Sequence, residues 1–427
     1  MTVNVLTEAT RPQELALGDL ACRACGARLR WSFVDLGVQP LCESYLRAED
    51  LNRMEPHYPL HPLVCGHCWL VQVDAYVSSA EIFSEYAYFS SYSDAWVEHA
   101  RRYVDTARAR FGLHARSQVV EVASNDGYLL QHFVADGVPC LGIEPAANVA
   151  AAAQRRGVPT RVAFFGVETA RQLRAEGYAA DLLVANNVLA HVPDLHDFID
   201  GFRALLKDDG VWTAEVQYLP TLVAGHQFDT IYHEHFCYYS LISLTAVLQE
   251  HGLRVFDVER LDTHGGSIRA YICHAQSAAH LQQPGVDALL QEERALGVDT
   301  PGYYATFAEQ VSLTKRRLLR FLLDARDNGQ AVVGYGAPGK GNTLLNACGI
   351  GPDLVAYTVD RNPYKQGRFL PGSRIPIHAP EHIARTRPDY VLILPWNFRD
   401  EITRQMAAIR DWGGRFVVPV PQVEVLD

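Results

Sequence analysis

Residues 117–137 read SQVVEVASNDGYLLQHFVADG. A short β-branched run is followed by a turn of small polar residues, Ala123–Gly127, and then by a helical pattern that ends at a glycine. The same scheme recurs in CLGIEPAANVAAAAQRRG, 140–157, and in DLLVANNVLAHVPDLHDFIDGFRALL, 181–206, before the apolar strand VWTAEVQYL, 211–219. Strands that alternate with helices predict an α/β fold, a parallel sheet covered on both faces and wound in both directions. This Rossmann-like domain is expected to span 73–278. Residues 78–96, rich in aromatics and hydroxyls, and 95–113, amphipathic, are expected to be mostly helical ahead of the first strand.

Composition bounds the rest. The 427-residue chain is 48% hydrophobic with a net charge of −11, long enough for two or three domains and apolar enough for real cores. No dense Lys/Arg run offers a footprint for a phosphate backbone, so nucleic acid is not an expected partner. The N-terminus lacks a basic head and apolar stretch, and no apolar run reaches the roughly 18 residues of a membrane span. A cytoplasmic chain without membrane contact is expected; oligomeric state is left open, with a monomer as one option.

Four of the nine cysteines fall into two CxxC pairs, Cys22 with Cys25 and Cys65 with Cys68. In a long chain of this kind, such pairs suit tetrahedral zinc better than a disulfide framework. Residues 26–64 between them exceed the usual ribbon spacing, so an insertion at 35–60 must loop out. A closed four-sulfur site leaves no position for a substrate: the zinc is structural, and residues 1–72 form a small zinc-binding module. Cys42, His61 and His67 are spare ligands.

In an open parallel sheet the ligand sits beyond the carboxyl ends of the strands, near the switch point. The first turn, Glu121 to Gly127, has one glycine and is not GxGxxG, which disfavours NAD. A ligand with a ribose and a compact charged tail fits better: Glu121 and the turn residues Ala123, Asn125 and Gly127 can take an ammonium group, and Glu144, ending the second strand, can accept both ribose hydroxyls. The pattern resembles class I methyltransferases and implies S-adenosyl-L-methionine. Phe164 and Phe165 could sandwich the adenine, although at least one is expected in the core. Asn186 and Asn187 lie at the edge facing the methyl donor.

Residues 228–236, FDTIYHEHF, concentrate proton-handling groups. His233 and His235 are two apart, without HExxH spacing, which disfavours a metal. A turn could instead converge an imidazole base with phenol and imidazole donors for an oxyanion, and His191 would face the same cleft. EVASNDGYLL, GIEP, NNVLAHVPD, FDTIYHEHF, HGGSIR and GYGAPGKGNTLLN occur in this order behind the double CxxC module. Together they resemble the three-domain, zinc-containing sugar-nucleotide C-methyltransferases, typified by dTDP-sugar C-3'-methyltransferases of deoxysugar biosynthesis. The resemblance covers nearly the whole chain. It implies a central class I methyltransferase domain and a C-terminal Rossmann-like α/β domain, 279–427, that helps bind a nucleotide sugar. It implies that His235 removes the proton α to the sugar's keto group, that Tyr232 and His191 hydrogen-bond the sugar or its enolate, that Glu234 orients the base or a hydroxyl, and that Tyr86 closes the pocket. Two departures stand out: ASNDG replaces GCNDG, and His233 replaces the acidic residue of YDEH. An imidazole beside the base is expected to alter which group of the substrate is read.

Past QQPG, 282–285, come two helical stretches, 286–297 and 301–329, the second with Phe307, Val311, Leu318 and Leu322 at helical spacing. A second strand–helix alternation then runs to 421. Its first turn, Gly334 to Gly341, fits GxxxxGK but lacks the hydroxyl that would ligate magnesium, so an ATPase is disfavoured. Tyr335 and Lys340 on this turn, and His264, Gly265, Gly266 and Arg269 in the HGG loop, are expected to contact the sugar nucleotide and its phosphates. Rival readings are O- or N-methylation of a small metabolite, or a non-catalytic nucleotide-binding protein.

Overall fold

The computed structural model describes residues 20–77 and 90–426. The N-terminal module contains β1 (Trp31–Ser32), β2 (Val38–Gln39), β3 (Tyr58–Pro59), β4 (Leu63–Val64) and β5 (Val71–Gln72). CGHC forms the turn between β4 and β5, and a bridge from Ala21 to Arg28 closes the facing CRACG turn. Such short strands bury too little apolar surface to stand alone. Phe33 stacks on Phe307 at 4.4 Å, and both belong to a core that also takes in Val64, Phe228 and Leu392, so residues from every third of the chain share one interior.

The central sheet is built from β6 (Val119–Val122), β7 (Cys140–Ile143), β8 (Thr160–Arg161), β9 (Ala180–Asn186) and β10 (Leu206–Gln217), all parallel, then β12 (Leu253–Leu261) and β13 (Ser267–His274). The order is β12-β13-β10-β9-β6-β7-β8, with β13 antiparallel to both neighbours. The winding reverses between β6 and β9, which places the switch point at Ala123 and Asn186. Fully buried Trp212 on β10 stacks on Phe202 at 4.1 Å, fixing the helix Leu195–Leu205 to the sheet. The expected helix before the sheet occupies Asp94–Phe111, with Ser93 capping it; residues 78–89 lie outside the described residues.

One strand leaves this sheet. β11 (Cys237–Tyr238), directly after the YHEH run, pairs antiparallel with β5 and completes a four-stranded sheet of order β1-β4-β5-β11. The zinc-binding module therefore holds a segment that the sequence places 165 residues downstream of Gln72, the register partner of Cys237 (237 − 72).

The C-terminal sheet has order β16-β15-β14-β17-β18-β19, made of β14 (Val332–Tyr335), β15 (Thr358–Val359), β16 (Ile377–His378), β17 (Tyr390–Ile393), β18 (Arg415–Val418) and β19 (Glu424–Leu426), parallel except for β19. Its supporting helix, Phe307–Asp327, buries Phe307, Val311, Leu318 and Leu322 as the spacing predicts; the expected single run from 301 is broken at Thr306. The long insertion of the zinc module does not hang free. It straps onto this domain: Leu46 bridges Phe369, Tyr45 donates to Ala337 O at 2.5 Å, and Asn342 Nδ2 donates to Cys42 O at 2.6 Å.

Gly127 has φ +79°, and a Cβ there would lie 2.9 Å from Val158 Cγ2. Its role is backbone conformation and packing. Gly127→Ala is expected to lose about 1–3 kcal/mol, read as a lower unfolding midpoint in urea, with donor affinity retained in the folded fraction.

Candidate functional site

The three parts of the chain enclose one cleft of about 1790 Å³. On the donor side it is walled by Ala123, Asn125, Glu144, Phe164, Phe165, Asn186 and Asn187. Ala123, Asn125 and Asn187 all hold positive φ, 54°, 49° and 58°, a cluster of non-glycine residues in a costly conformation that marks strand-end turns built for a purpose. Glu144 accepts from Asn125 N at 3.0 Å and Ala146 N at 2.9 Å, which fixes the carboxylate while leaving further lone pairs toward the cleft. Asn186 Oδ1 is buried with no partner among the described residues. An orphaned amide and a fixed carboxylate at the switch point fit the ribose and tail of S-adenosyl-L-methionine.

Two expectations for this wall change. Glu121 is 1% exposed and does not reach the cleft; burial and its neighbours Glu144 and Asp126 push its pKa well up. It lies beneath the turn, where an ammonium group would have no access. Gly127 likewise serves packing. Phe165 packs edge-on to Phe198 and Phe202, at 5.6 and 4.9 Å, whereas Phe164 is half exposed at the cleft, so one ring is free to meet an adenine and the other belongs to the core.

The YHEH run is a tight turn, closed by His235 N donating to Tyr232 O at 2.9 Å. The turn sends its side chains three ways. Tyr232 and His235 converge in the cleft with ring centroids 4.0 Å apart, and His191 meets His235 edge-on at 4.6 Å. Burial, and the nearby His191 and His264, lower the His235 pKa well below the usual imidazole value. Burial lowers His191 to about 4. Both rings are neutral at pH 7. Glu234 turns instead toward the strap: its Oε1 lies 3.8 Å from Cys42 Sγ, and burial followed by the Glu43 charge raises its pKa to about 8. It contacts a thiol rather than orienting His235. His233 leaves the cleft, its Nε2 3.2 Å from both Tyr58 O and Pro59 O on β3. The expected effect of His233 on substrate reading is therefore not realised; it docks the turn onto the zinc module. Tyr86 lies outside the described residues.

On the C-terminal side, Lys340 projects from the glycine-rich turn, donates to Asn397 Oδ1 at 2.9 Å, and lies over Trp396 at 4.9 Å. Trp396 Nε1 donates to Asp229 Oδ2 at 2.6 Å, and burial raises the Asp229 pKa to about 6. Tyr335 lines the wall with its hydroxyl 3.4 Å from Gln405. His264 reaches the cleft, with φ 54°; Gly265 and Gly266 let the loop pass Trp396 and Thr221, 2.6 and 2.3 Å from where a Cβ would stand, and are not on the cleft surface. Arg269 is not available to a phosphate. Its guanidinium is bound to Glu215 at 3.0 Å and Glu259 at 2.5 Å, against Tyr103. Sequence reasoning missed Cys42 and Glu43 as cleft residues, brought in by the strap, as well as Lys365 of the C-terminal domain, whose Nζ lies 3.4 Å from Glu43 Oε2, and the wall residues Trp96 and His99. Only the unusual length between the CxxC pairs hinted at the former.

Remote from the cleft, Cys22, Cys25, Cys65 and Cys68 place their sulfurs within 4.8 Å of one another, with edges of 3.6 Å (Cys22–Cys68) and 3.5 Å (Cys25–Cys65). Tetrahedral zinc with sulfurs at about 2.3 Å requires edges near these. Hydrogen bonds among the crowded sulfurs push Cys22 down and Cys65 and Cys68 up, and four sulfurs this close suit a cation held between them. His61 is turned to Ser32 Oγ at 2.8 Å, and His67 offers Cys65 only its backbone N–H. The donor set is that of a structural zinc centre.

Family models match along the chain in the order the fold displays: a zinc binding domain over 22–83, a methyltransferase domain over 96–258 and a C-methyltransferase C-terminal domain over 262–421. The chain belongs to the zinc-containing, S-adenosyl-L-methionine-dependent C-methyltransferases. It is 39% identical over 405 residues to C-methyltransferase NovU of Streptomyces niveus, covering 95% of this chain and 96% of that one. Solved structures with similarity include a 1,6-didemethyltoxoflavin-N1-methyltransferase of Burkholderia thailandensis (17% identity, 52% of this chain and 99% of that one, TM-score 0.35) and magnesium protoporphyrin IX methyltransferase of Synechocystis (14%, 47% and 100%, TM-score 0.34). No helix among the described residues is long and apolar enough to cross a membrane.

Elemental analysis of the purified chain is expected to give one zinc per chain. Cys65→Ser should lose the metal and lower the melting midpoint by several degrees, because the zinc's binding free energy is folding free energy for the small module it holds.

Proposed function

We propose that this C-methyltransferase transfers a methyl group to C-3' of a dTDP-linked 4-keto-6-deoxy sugar through an enolate generated by His235, in deoxysugar biosynthesis. The observation that carries the reading is the convergence of neutral His235, His191 and Tyr232 between the donor wall and Lys340 in one cleft. A carbon beside a ketone becomes nucleophilic only when a base takes its proton. A hydrogen bond with the Thr230 main chain raises the His235 pKa, against the larger effect of burial. The half-buried His235 ring lines the cleft, and a neutral imidazole keeps a lone pair on one of its two nitrogens. That lone pair accepts the C-3' proton, and the C–H electrons move into the enolate, whose oxygen is held by Tyr232 and His191. S-adenosyl-L-methionine supplies an electrophilic methyl group. Asn186 and Asn187 place the donor edge, and Phe164 covers its flat end.

The C-terminal residues, 279–427, contribute the nucleotide-sugar wall in this reading, with Lys340 and Tyr335 nearest the acceptor and the enclosed cleft wide enough for a nucleotide and a sugar together. Residues 1–72 and 73–278 form the zinc-binding and donor-binding domains. The thiols of the two CxxC pairs must stay reduced to hold zinc, which supports a reducing, cytoplasmic setting.

Mass spectrometry with dTDP-, UDP- and GDP-linked 4-keto-6-deoxy sugars in deuterated water tests the substrate. Methyl gain with donor-free wash-in of one deuterium supports the enolate; methyl gain without exchange would favour O- or N-transfer, and no product across the panel would overturn the sugar assignment. His235→Asn is expected to cut kcat by about 10²–10⁴-fold and abolish exchange while donor affinity stays unchanged.

The pH profile follows from the burial of these groups. With His235 lowered, the base remains unprotonated down through pH 6.5, so kcat/KM should show no acid limb near the usual imidazole value. Glu234 is neutral below about 8 and ionises above it, adding a charge beside Glu43. A fall in kcat/KM above about pH 8 that disappears in Glu234→Gln is expected.

A further inference from the structure

Arg23 lies inside the first CxxC, between Cys22 and Cys25, yet its side chain points away from the sulfurs. Its Nη2 donates to Val73 O at 2.6 Å and its Nη1 to Pro193 O at 3.1 Å, while the guanidinium covers the Phe236 ring at 5.2 Å. These three contacts fall on the strand end that leaves the zinc module, on the loop two residues past His191, and on the residue next to His235. The same three segments are already laced by backbone bonds: Val73 N donates to Phe236 O at 3.0 Å and Phe236 N to Ala190 O at 2.6 Å. On the metal side, Arg23 N donates to Gln72 Oε1 at 3.0 Å, and Gln72 Nε2 reaches Cys22 Sγ at 3.1 Å.

We infer that Arg23 is a positioning residue for methyl transfer, a strap by which the zinc knuckle sets the separation of the His191 and His235 rings. The inference rests on the proposed roles of those two histidines. The planar guanidinium suits the task because two of its donors leave in fixed directions and span two carbonyls at once, whereas a lysine ammonium offers a point charge on a flexible stem. Zinc fixes where the Arg23 backbone starts, and the side chain carries that constraint about one side-chain length to the cleft. A residue confined to holding the zinc fold would have no need of Pro193, which belongs to the cleft wall.

The test compares Arg23→Ala and Arg23→Lys with the wild-type holoprotein by zinc content, donor affinity, the kcat and KM split, and amide hydrogen exchange of peptides covering 189–193 and 232–238. The expected result is full zinc and unchanged donor affinity in Arg23→Lys, kcat lowered about 10- to 100-fold, the scale of a misplacement of roughly 1 Å, and faster exchange in both peptides. Guanidinium added to Arg23→Ala should restore part of the lost kcat. Exchange and kcat within about twofold of wild type in Arg23→Lys, a change of only ~0.4 kcal/mol, would overturn the inference. So would loss of zinc in Arg23→Lys, which would make Arg23 part of the metal fold alone; if only Arg23→Ala loses zinc, the lysine variant decides. Amide exchange does not depend on which reaction is catalysed. A wild-type rate in His235→Asn would therefore sink the base assignment while the exchange data still judge the strap.

Discussion

The architecture depends on where Phe236 puts its two main-chain groups. Its N–H goes to Ala190 O in the donor-binding domain and its carbonyl receives Val73 N from the zinc-binding module. Buried backbone groups must be paired, so these bonds decide that the chain after the YHEH turn runs along β5 instead of joining the central sheet. From that choice follow the four-stranded sheet that β11 completes, the approach of His191 to His235, and the docking of His233 on β3. The YHEH turn is thereby clamped from two domains, which is how it can hold His235 edge to edge with His191 without being a rigid element itself.

Burial then sets the chemistry of the clamped groups. Burial lowers His235, His191 and His264, and neighbouring imidazoles and Lys340 lower His235 and His264 further, so the imidazoles stay neutral. Across the cleft the same physics acts with opposite sign on carboxyls: Glu234 beside Glu43 and Asp229 deep in the wall are pushed up. Glu215 runs the other way. Burial alone would raise it, but hydrogen bonds and charge from His99 and Arg269 outweigh desolvation and bring it down to about 2. That ion pair consumes Arg269 and anchors Thr263 at 2.7 Å, which fixes the base of the turn presenting His264. The residue read as a phosphate ligand is thus a support for its neighbour in the same motif.

What the sequence disclosed, and what it hid, divides along the range of the interactions. Strand–helix alternation and the helical spacing of Phe307, Val311, Leu318 and Leu322 are local and were legible, as were the paired cysteines and the strand-end residues Glu144 and Asn186, because each is fixed by its own element. The fate of side chains within YHEH was not, since a four-residue turn can send alternate residues to any wall and only the partners decide. Tyr58 and Pro59 claim His233, and Cys42 claims Glu234, from about 175 and 192 positions away. Glu121 was misplaced for a related reason: a carboxylate at a strand end can face ligand or core, and the choice is made by Glu144, which takes the cleft position.

The strap formed by residues 35–60 gives the zinc centre a reason to sit so far from the chemistry. By carrying Cys42 and Glu43 to the start of the helix Gly339–Cys348, where Gly339 has room only for a hydrogen because Cys42 Sγ would stand 2.8 Å from a Cβ, it joins the C-terminal wall to the zinc-binding module. Arg23 joins that same module to the donor wall. A metal with filled coordination has no electronic part in carbon alkylation, but it can serve as the fixed point from which both walls are referenced. Methyl transfer to carbon needs the nucleophile, methyl and leaving sulfur in line, and the rate falls steeply with displacement. A small module cross-linked by four thiolates meets that need with less chain than a third hydrophobic core would require.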